Sequence, residues 1–128
     1  MARIAIVDDS RLARTFAAAA LKAHGHDILD VDPTSLFGVL EILKGPPVPD
    51  VMVVDYLMPL CPAQSLIRAC REDVSLKNMR IVVLTAHRDD EALGRLGPFG
   101  VSHVLLKPVQ PDALAVLVAD ALEKGIPR

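Results

Sequence analysis

Aromatic residues are almost absent from this chain, which has three Phe, one Tyr and no Trp in 128 residues. A hydrophobic core must therefore be filled with Ala, Val, Leu and Ile, which are abundant. The length fits one compact domain of ordinary size. The composition excludes a core built on packed rings but leaves room for a conventional aliphatic one.

The chain also lacks an excess of basic charge, long apolar runs and a cysteine framework. Its formal net charge is -2, which argues against a nucleic-acid partner. No apolar run approaches the roughly 18 residues needed to span a bilayer, and the opening Met1-Ala2-Arg3-Ile4 lacks the layout of a signal peptide. Cys61 and Cys70 suit neither a disulfide framework nor a common zinc site. We expect a cytoplasmic protein without membrane contacts.

Short aliphatic, β-branched runs recur along the sequence. Their nearly continuous hydrophobicity is typical of strands that are buried on both faces of a parallel sheet. Five strands are predicted: Ile4 to Val7, Ile28 to Val31, Val51 to Val54, Ile81 to Leu84 and Val104 to Leu106.

Helical segments with recognisable start and stop signals lie between these runs. Five helices are predicted: from the cap Ser10 to Ala23, with Gly25 beyond it; from Asp32-Pro33 to Gly45-Pro46-Pro47; from Pro62 to Glu72; from Asp89 to Leu96, weakened by Gly94; and from Pro111 to Lys124. Strict alternation of strands and helices implies right-handed βαβ crossovers and a three-layer α/β sandwich around a parallel sheet.

Polar residues follow the predicted strands directly. They are Asp8-Asp9 after the first strand, Asp55 after the third, Thr85-Ala86 after the fourth and Lys107-Pro108 after the fifth. Ligands of such sheets bind outside the carboxyl ends of the strands. We therefore expect three carboxylates, one hydroxyl and one ammonium group to converge at one edge.

The chemistry of this set is coherent. Neighbouring carboxylates repel one another unless a cation is present, and Mg²⁺ (or Mn²⁺) is the hard divalent ion that prefers oxygen ligands. A carboxylate is also a nucleophile toward a phosphoryl group. Phosphoryl transfer needs positioning and charge neutralisation, which the metal ion, Lys107 and Thr85 would supply around Asp55.

Four segments together resemble the signature of response-regulator receiver domains: Val7-Asp8-Asp9-Ser10, Asp55-Tyr56-Leu57-Met58-Pro59, Thr85-Ala86 and Lys107-Pro108. The resemblance covers nearly the whole chain and implies a flavodoxin-like (βα)5 fold with strand order 2-1-3-4-5. It also implies one receiver domain over residues 1–125, a short tail over residues 126–128 and no output domain.

The resemblance assigns roles to individual residues. Asp55 would be the phosphoacceptor. Asp9 would bind the metal directly and Asp8 largely through water, with the backbone carbonyl of Leu57 as a further ligand. Thr85, followed by Ala86, would be the switch hydroxyl, and Lys107 would neutralise the phosphoryl group. The bond from Lys107 to Pro108 is often cis in the family.

The resemblance also implies partners. A histidine kinase or a histidine phosphotransfer protein would supply the phosphoryl group, and an output protein would bind the surface formed by the fourth helix, the fifth strand and the last helix. The chain would catalyse only its own phosphoryl transfer and slow self-dephosphorylation. Apolar residues on the last helix also indicate a surface for a partner or a homodimer: Ala115, Val118, Ala119 and Leu122.

The sequence departs from the family pattern at several positions. Val104, preceded by His103, stands where an aromatic residue often reports activation, and Cys61-Pro62-Ala63 replaces the usual Asp-Gly turn. Leu57 and His87 occupy two positions that often modulate the lifetime of the phosphoryl group. Because Leu57 cannot hydrogen-bond an attacking water, slow self-dephosphorylation is expected.

Other readings stay open at this stage. The main alternative is a receiver-like binding module that never uses phosphate, whereas a phosphatase or a flavin carrier on the same sheet fits poorly. His24 and His26 could form part of a metal site. Arg11 and Arg14, three apart, could share a docking face or a solvated one. Cys70 is expected to be buried, and Cys61 to be a loop thiol.

Overall fold

Strands and helices alternate in a computed structural model of the chain, which describes residues 2–86, 94–101 and 103–124. The strands are β1 (Arg3–Val7), β2 (Asp27–Val31), β3 (Val51–Asp55), β4 (Arg80–Thr85) and β5 (His103–Leu106). The helices are α1 (Arg11–Lys22), α2 (Leu36–Lys44), α3 (Ala63–Glu72) and the last helix (Pro111–Lys124), with a 3₁₀ turn at Gly97–Phe99. All five predicted strands are confirmed, with ends that differ by at most one residue.

The strands form one parallel sheet in the order β2-β1-β3-β4-β5. This order confirms the flavodoxin-like α/β fold. The strand order reverses between β1 and β3. On one side β2 lies beside β1, and on the other side β4 and β5 follow β3. A ligand site is expected outside the carboxyl ends of the strands at this reversal.

Alternate residues of each central strand enter opposite layers, as the two-residue period of a strand requires. Ile4 and Ile6 of β1 pack in the layer that contains α1 and the last helix. Ala5 and Val7 pack in the other layer, with α2 and α3. Because both faces are covered, the central strands are apolar along their whole length, and this explains the continuous hydrophobic runs in the sequence.

Helix ends follow local capping chemistry. The Ser10 side chain accepts a hydrogen bond from the Ala13 N–H and begins α1, and Gly25 turns the chain with a positive φ of 84°. The predicted start of the second helix at Asp32-Pro33 is wrong. Ser35 caps α2, and its side chain accepts a hydrogen bond from the Gly38 N–H. A hydroxyl can satisfy this N–H in the first turn, whereas the side chain of Pro33 has no acceptor atom.

The predicted helix from Asp89 to Leu96 lies mainly outside the described residues. Within the described part, Leu96 is buried and precedes the 3₁₀ turn, and Gly100 ends that turn with a positive φ of 77°. Residues 125–128 are also outside the described ranges, so the division into a domain and a tail stays a prediction. No helix within the described ranges is long and apolar enough to cross a membrane.

The expectation that apolar residues of the last helix form an outer surface is wrong for two of the four residues. Ala115 and Val118 of the last helix are buried, and Val118 has no exposed surface. They belong to the core because the last helix packs against the sheet beside α1. Cys70 is buried and Cys61 lies in a loop, both as expected, and Cys61 is fully buried as well. Burial raises the pKa of Cys61, and raises that of Cys70 to about 12, which keeps both thiols protonated.

Two leucines of α1 provide a matched test of this core. Leu21 is fully buried, whereas Leu12 is 81% exposed. We expect Leu21→Ala to lower the free energy of unfolding by about 3 kcal/mol, because it removes buried methyl groups and leaves a cavity. Leu12→Ala should change it by less than about 0.5 kcal/mol. Urea denaturation of both variants measures the difference, and equal effects would contradict the assigned packing of α1.

Candidate functional site

The register of the sheet brings the predicted polar residues to one edge. Val7 pairs with Val54, so Asp8 follows β1 at the level where Asp55 ends β3. Thr85 ends β4 and pairs with Leu106, and Lys107 comes next along the chain. The Lys107 N–H donates to the Thr85 carbonyl over 2.7 Å, which extends the ladder beyond the strands. The convergence predicted from the sequence is therefore present.

Three carboxylates form an acidic cluster at this edge. Asp8, Asp9 and Asp55 each offer an oxygen atom, and these atoms lie within 4.8 Å of one another. Asp8 and Asp55 are only 2% and 7% exposed, whereas Asp9 is exposed. Burial, reinforced by the charge of Asp8, raises the pKa of Asp55 even though Lys107 opposes the shift. The ionised form of Asp55 is therefore disfavoured in this cluster.

Lys107 partly balances this negative charge. Its Nζ lies 3.2 Å from Asp55 Oδ1 and 3.4 Å from Asp8 Oδ2. Burial opposes the charged ammonium, but the two carboxylates outweigh it and raise the pKa of Lys107. The peptide bond from Lys107 to Pro108 is cis, as the family resemblance implied. One ammonium group cannot neutralise three carboxylates, so the cluster retains net negative charge.

The donor set fits a hard divalent cation. The three candidate ligands are all carboxylate oxygens, and they are close enough to share one ion. Their mutual repulsion would fall when a cation is bound. Mg²⁺ and Mn²⁺ both match this chemistry, whereas zinc would favour nitrogen or sulfur ligands.

The loop between β1 and α1 holds Asp8 at its side chain and at its backbone. Asp8 Oδ1 accepts the Ser10 N–H over 2.9 Å. Arg14 Nη1 donates to the Asp8 carbonyl oxygen over 2.7 Å. Asp8 and Ser10 therefore also accept backbone N–H groups at the start of α1.

Arg14 takes a role at this site that the sequence did not predict. Arg11 is exposed but Arg14 is buried, so the idea that they share an outer face of α1 is wrong. The Arg14 guanidinium turns inward to pair with Asp30, with Nε 2.7 Å from Oδ1, and approaches Asp32 at 3.8 Å. The Asp-x-Asp spacing at the end of β2 was the only available signal in the sequence.

The remaining predicted residues are distributed around the cluster. Thr85 is buried and its carbonyl accepts the Lys107 N–H, whereas Ala86 is exposed. Leu57 is 55% exposed in the loop after β3. Val104 is half-buried against the α2–α3 layer. His87 lies outside the described residues, so its effect on the site stays a prediction.

The three histidines among the described residues lie at the amino ends of the strands and have other partners. His103 is buried, and its Nε2 lies 2.9 Å from Asp120 Oδ2 on the last helix. His26 Nδ1 accepts the Ala2 N–H, and His24 Nδ1 lies 3.1 Å from the Ala20 carbonyl oxygen. Across the described ranges, the acidic cluster is the only group of three or more potential metal ligands, so no His24–His26 metal site is found there.

A parallel α/β sheet with acidic residues at its carboxyl edge defines the class, and sequence comparison defines the family. The model for the response regulator receiver domain matches residues 4–119, and the chain belongs to that family. It is 28% identical over 116 residues to the two-component response regulator ORR5 of Oryza sativa subsp. japonica, covering 91% of this chain and 85% of that protein.

Solved structures agree with the fold. A sensor protein from Polaromonas sp. JS666 is 30% identical, with a TM-score of 0.84 and coverage of 94% of this chain and 95% of that one. The chemotaxis response regulator CheY4 of Vibrio cholerae has a TM-score of 0.85 at 24% identity, covering 95% and 99% of the two chains. At that identity the second likeness supports the fold alone.

Proposed function

We propose that this receiver accepts a phosphoryl group on Asp55 in a Mg²⁺-dependent reaction and signals by changing conformation. The supporting observation is the Asp55 carboxylate itself, which is buried beside Asp8 and contacts Lys107 Nζ at 3.2 Å. A structural ion pair would require neither a third carboxylate nor the threonine at the end of the neighbouring strand. The combination matches the needs of phosphoryl transfer.

In the proposed reaction, an Asp55 carboxylate oxygen attacks the phosphorus atom of a phosphohistidine on a kinase or phosphotransfer protein. The new O–P bond forms as the P–N bond breaks, and the imidazole leaves, so Asp55 becomes an acyl phosphate. Lys107 would neutralise one phosphoryl oxygen, and the Thr85 hydroxyl would donate to another. Mg²⁺ held by Asp8, Asp9, Asp55 and the Leu57 carbonyl would supply further positive charge.

The proposed output is a population shift between two conformers of the domain. The surface that changes would include the fourth predicted helix, β5 and the last helix, and an output protein or a second copy of the chain would bind there. Val104 cannot act as an aromatic reporter, so packing changes around it would have to replace that role. A cytoplasmic location and the absence of nucleic-acid or membrane partners belong to the same proposal.

A phosphate-independent binding module is the second candidate. The aliphatic Val104 and the Cys61-Pro62-Ala63 loop favour it, since both depart from the common receiver pattern. The same fold and core would then present a docking surface without any covalent step. The two candidates differ in whether the acidic cluster binds metal and whether Asp55 is modified.

Removal of metal is the experiment that separates them. Incubation with Mg²⁺ and acetyl phosphate should add a phosphate-sized mass to the intact chain. With EDTA in place of Mg²⁺, we expect the rate to fall at least about a hundredfold, because charge on the carboxylates and the phosphoryl group is no longer neutralised. Equal rates with and without Mg²⁺ would contradict the metal-dependent reaction, and no uptake in either condition would favour the binding module.

Leu57 should make the phosphorylated state long-lived. Its exposed side chain stands in the loop beside Asp55 and cannot hydrogen-bond an attacking water. We expect Leu57→Asn to accelerate loss of the phosphoryl group about tenfold, by holding that water. Leu60→Asn is the control, since Leu60 is a 67% exposed leucine in the same loop. Equal rates of phosphate loss in the wild type and in both variants would argue against this role.

A further inference from the structure

Arg14 carries a positive charge in a buried position, which is unusual. The side chain is only 9% exposed, whereas those of its partners Asp30 and Asp32 are 64% and 62% exposed. Burying a cation is costly unless it is paired and hydrogen-bonded. An arginine on α1 could keep its charge in water by extending outward, as the exposed Arg11 does. The inward position is therefore best explained by what the guanidinium binds there.

The guanidinium joins two separate parts of the chain. Nε donates to Asp30 Oδ1 on β2 over 2.7 Å, and Nη1 donates to the Asp8 carbonyl oxygen, also over 2.7 Å. A guanidinium is planar and rigid, so fixing one nitrogen on β2 fixes the direction of the others. The edge strand thus sets the position of the donor that reaches Asp8.

The Asp8 carbonyl is part of the peptide unit between Asp8 and Asp9. That unit is planar, so the orientation of its C=O also sets the position of both flanking Cα atoms. Both flanking residues are candidate metal ligands. Ser10 and Lys107 restrain the Asp8 carboxylate, whereas Arg14 restrains the backbone that carries both acidic side chains.

We propose that Arg14, anchored by Asp30, is a positioning residue that aligns Asp8 and Asp9 for the divalent cation. This inference rests on the proposed function, because it requires the acidic cluster to bind a metal. Arg14 touches neither the reacting carboxylate nor a phosphoryl group. It acts through the Asp8–Asp9 peptide unit, and Asp32 adds a weaker second anchor on the same side.

The sign of the effect separates positioning from simple electrostatics. Arg14 brings a positive charge near a cation site, so loss of that charge alone should strengthen Mg²⁺ binding. Loss of alignment should weaken it instead. Outer partners of metal ligands typically contribute tenfold or more to affinity, and we expect about a tenfold rise in the Mg²⁺ dissociation constant for Arg14→Gln.

The test is a Mg²⁺ titration of the full chain, followed by the amide NMR signals of Asp8 and Asp9, with urea unfolding of each variant in EDTA. Arg14→Gln removes the charge, and Arg14→Lys keeps it but loses the rigid two-way contact. Asp30→Asn removes the negative charge of the exposed anchor and leaves the arginine, so it keeps the test valid should Arg14→Gln unfold. Arg3→Gln is the matched control, since Arg3 pairs with Asp27 over 3.2 Å at the opposite end of β1 and β2.

Positioning predicts weaker Mg²⁺ binding in both Arg14 variants, a smaller loss in Asp30→Asn and wild-type affinity in Arg3→Gln. If the wild type binds Mg²⁺ and the folded Arg14 variants bind it equally well or more tightly, the positioning role is overturned and the proposed function stands. If the wild type itself binds no Mg²⁺, the proposed function fails and the inference fails with it.

Discussion

Asp55→Asn should abolish phosphate uptake from acetyl phosphate. The change keeps the size and shape of the side chain but replaces the nucleophilic carboxylate with an amide, and it removes one of three candidate metal ligands. Intact mass measured over time should show the phosphate-sized gain in the wild type and none in the variant. Uptake by the variant at the wild-type rate would mean that another residue is the acceptor.

Two controls show whether such a loss is specific. Asp50→Asn alters a carboxylate at the opposite end of the sheet, where Asp50 accepts the Arg3 N–H, and should leave uptake unchanged.

Burial and Asp8 raise the pKa of Asp55, so its ionised form is disfavoured in the folded state. Stability from this group is present at low pH and is lost as pH rises through the folded pKa. In EDTA at neutral pH, Asp55→Asn should therefore be at least as stable as the wild type.

Lys107→Ala should change two measurements in opposite directions. It removes a charged donor that lies 3.2 Å from Asp55 Oδ1, and losing one such donor from a phosphoryl or oxyanion site costs about a hundredfold in rate. Phosphate uptake should slow by about that factor. Mg²⁺ should bind about fivefold more tightly, because a competing charge worth about 1 kcal/mol in a water-like environment is gone.

Lys77→Ala is the control for these two measurements, since Lys77 is exposed and precedes β4, at the opposite end of the sheet from the acidic cluster. Intact mass gives the rate, and titration calorimetry gives the Mg²⁺ affinity. Slower phosphate uptake together with weaker Mg²⁺ binding would indicate that the substitution disrupts the structure of the whole site. Unchanged uptake would remove Lys107 from the proposed reaction.

The fold was predictable because its signals are local. Runs such as Val51 to Val54 are apolar on both faces, and Ser10 and Gly25 mark the ends of the first helix. The start of α2 was missed because Asp32-Pro33 and Ser35 are competing signals, and only the geometry of the cap chooses between them. The exposure of residues on the last helix was mispredicted because the way the helix packs against the sheet decides which of its apolar residues are buried.

The site was predictable only where a residue directly follows a strand. Asp8, Asp55 and Lys107 meet because parallel strands end at the same edge. The inward position of Arg14 was not predicted because a basic residue on a helix is usually solvated, and its burial depends on the register of α1 against β2. The acidic partners of an arginine on other elements depend on the tertiary structure. The spacing of residues along one helix does not predict them.

The most direct test of the central claim is to locate the modified residue. An acyl phosphate is reduced by borohydride to an alcohol, which would convert a phosphorylated aspartate to homoserine. After incubation with Mg²⁺ and acetyl phosphate, peptide mass spectrometry should find homoserine at position 55, and none when EDTA replaces Mg²⁺. Homoserine at Asp8 or Asp9, or no homoserine at position 55 despite phosphate uptake by the intact chain, would contradict the account.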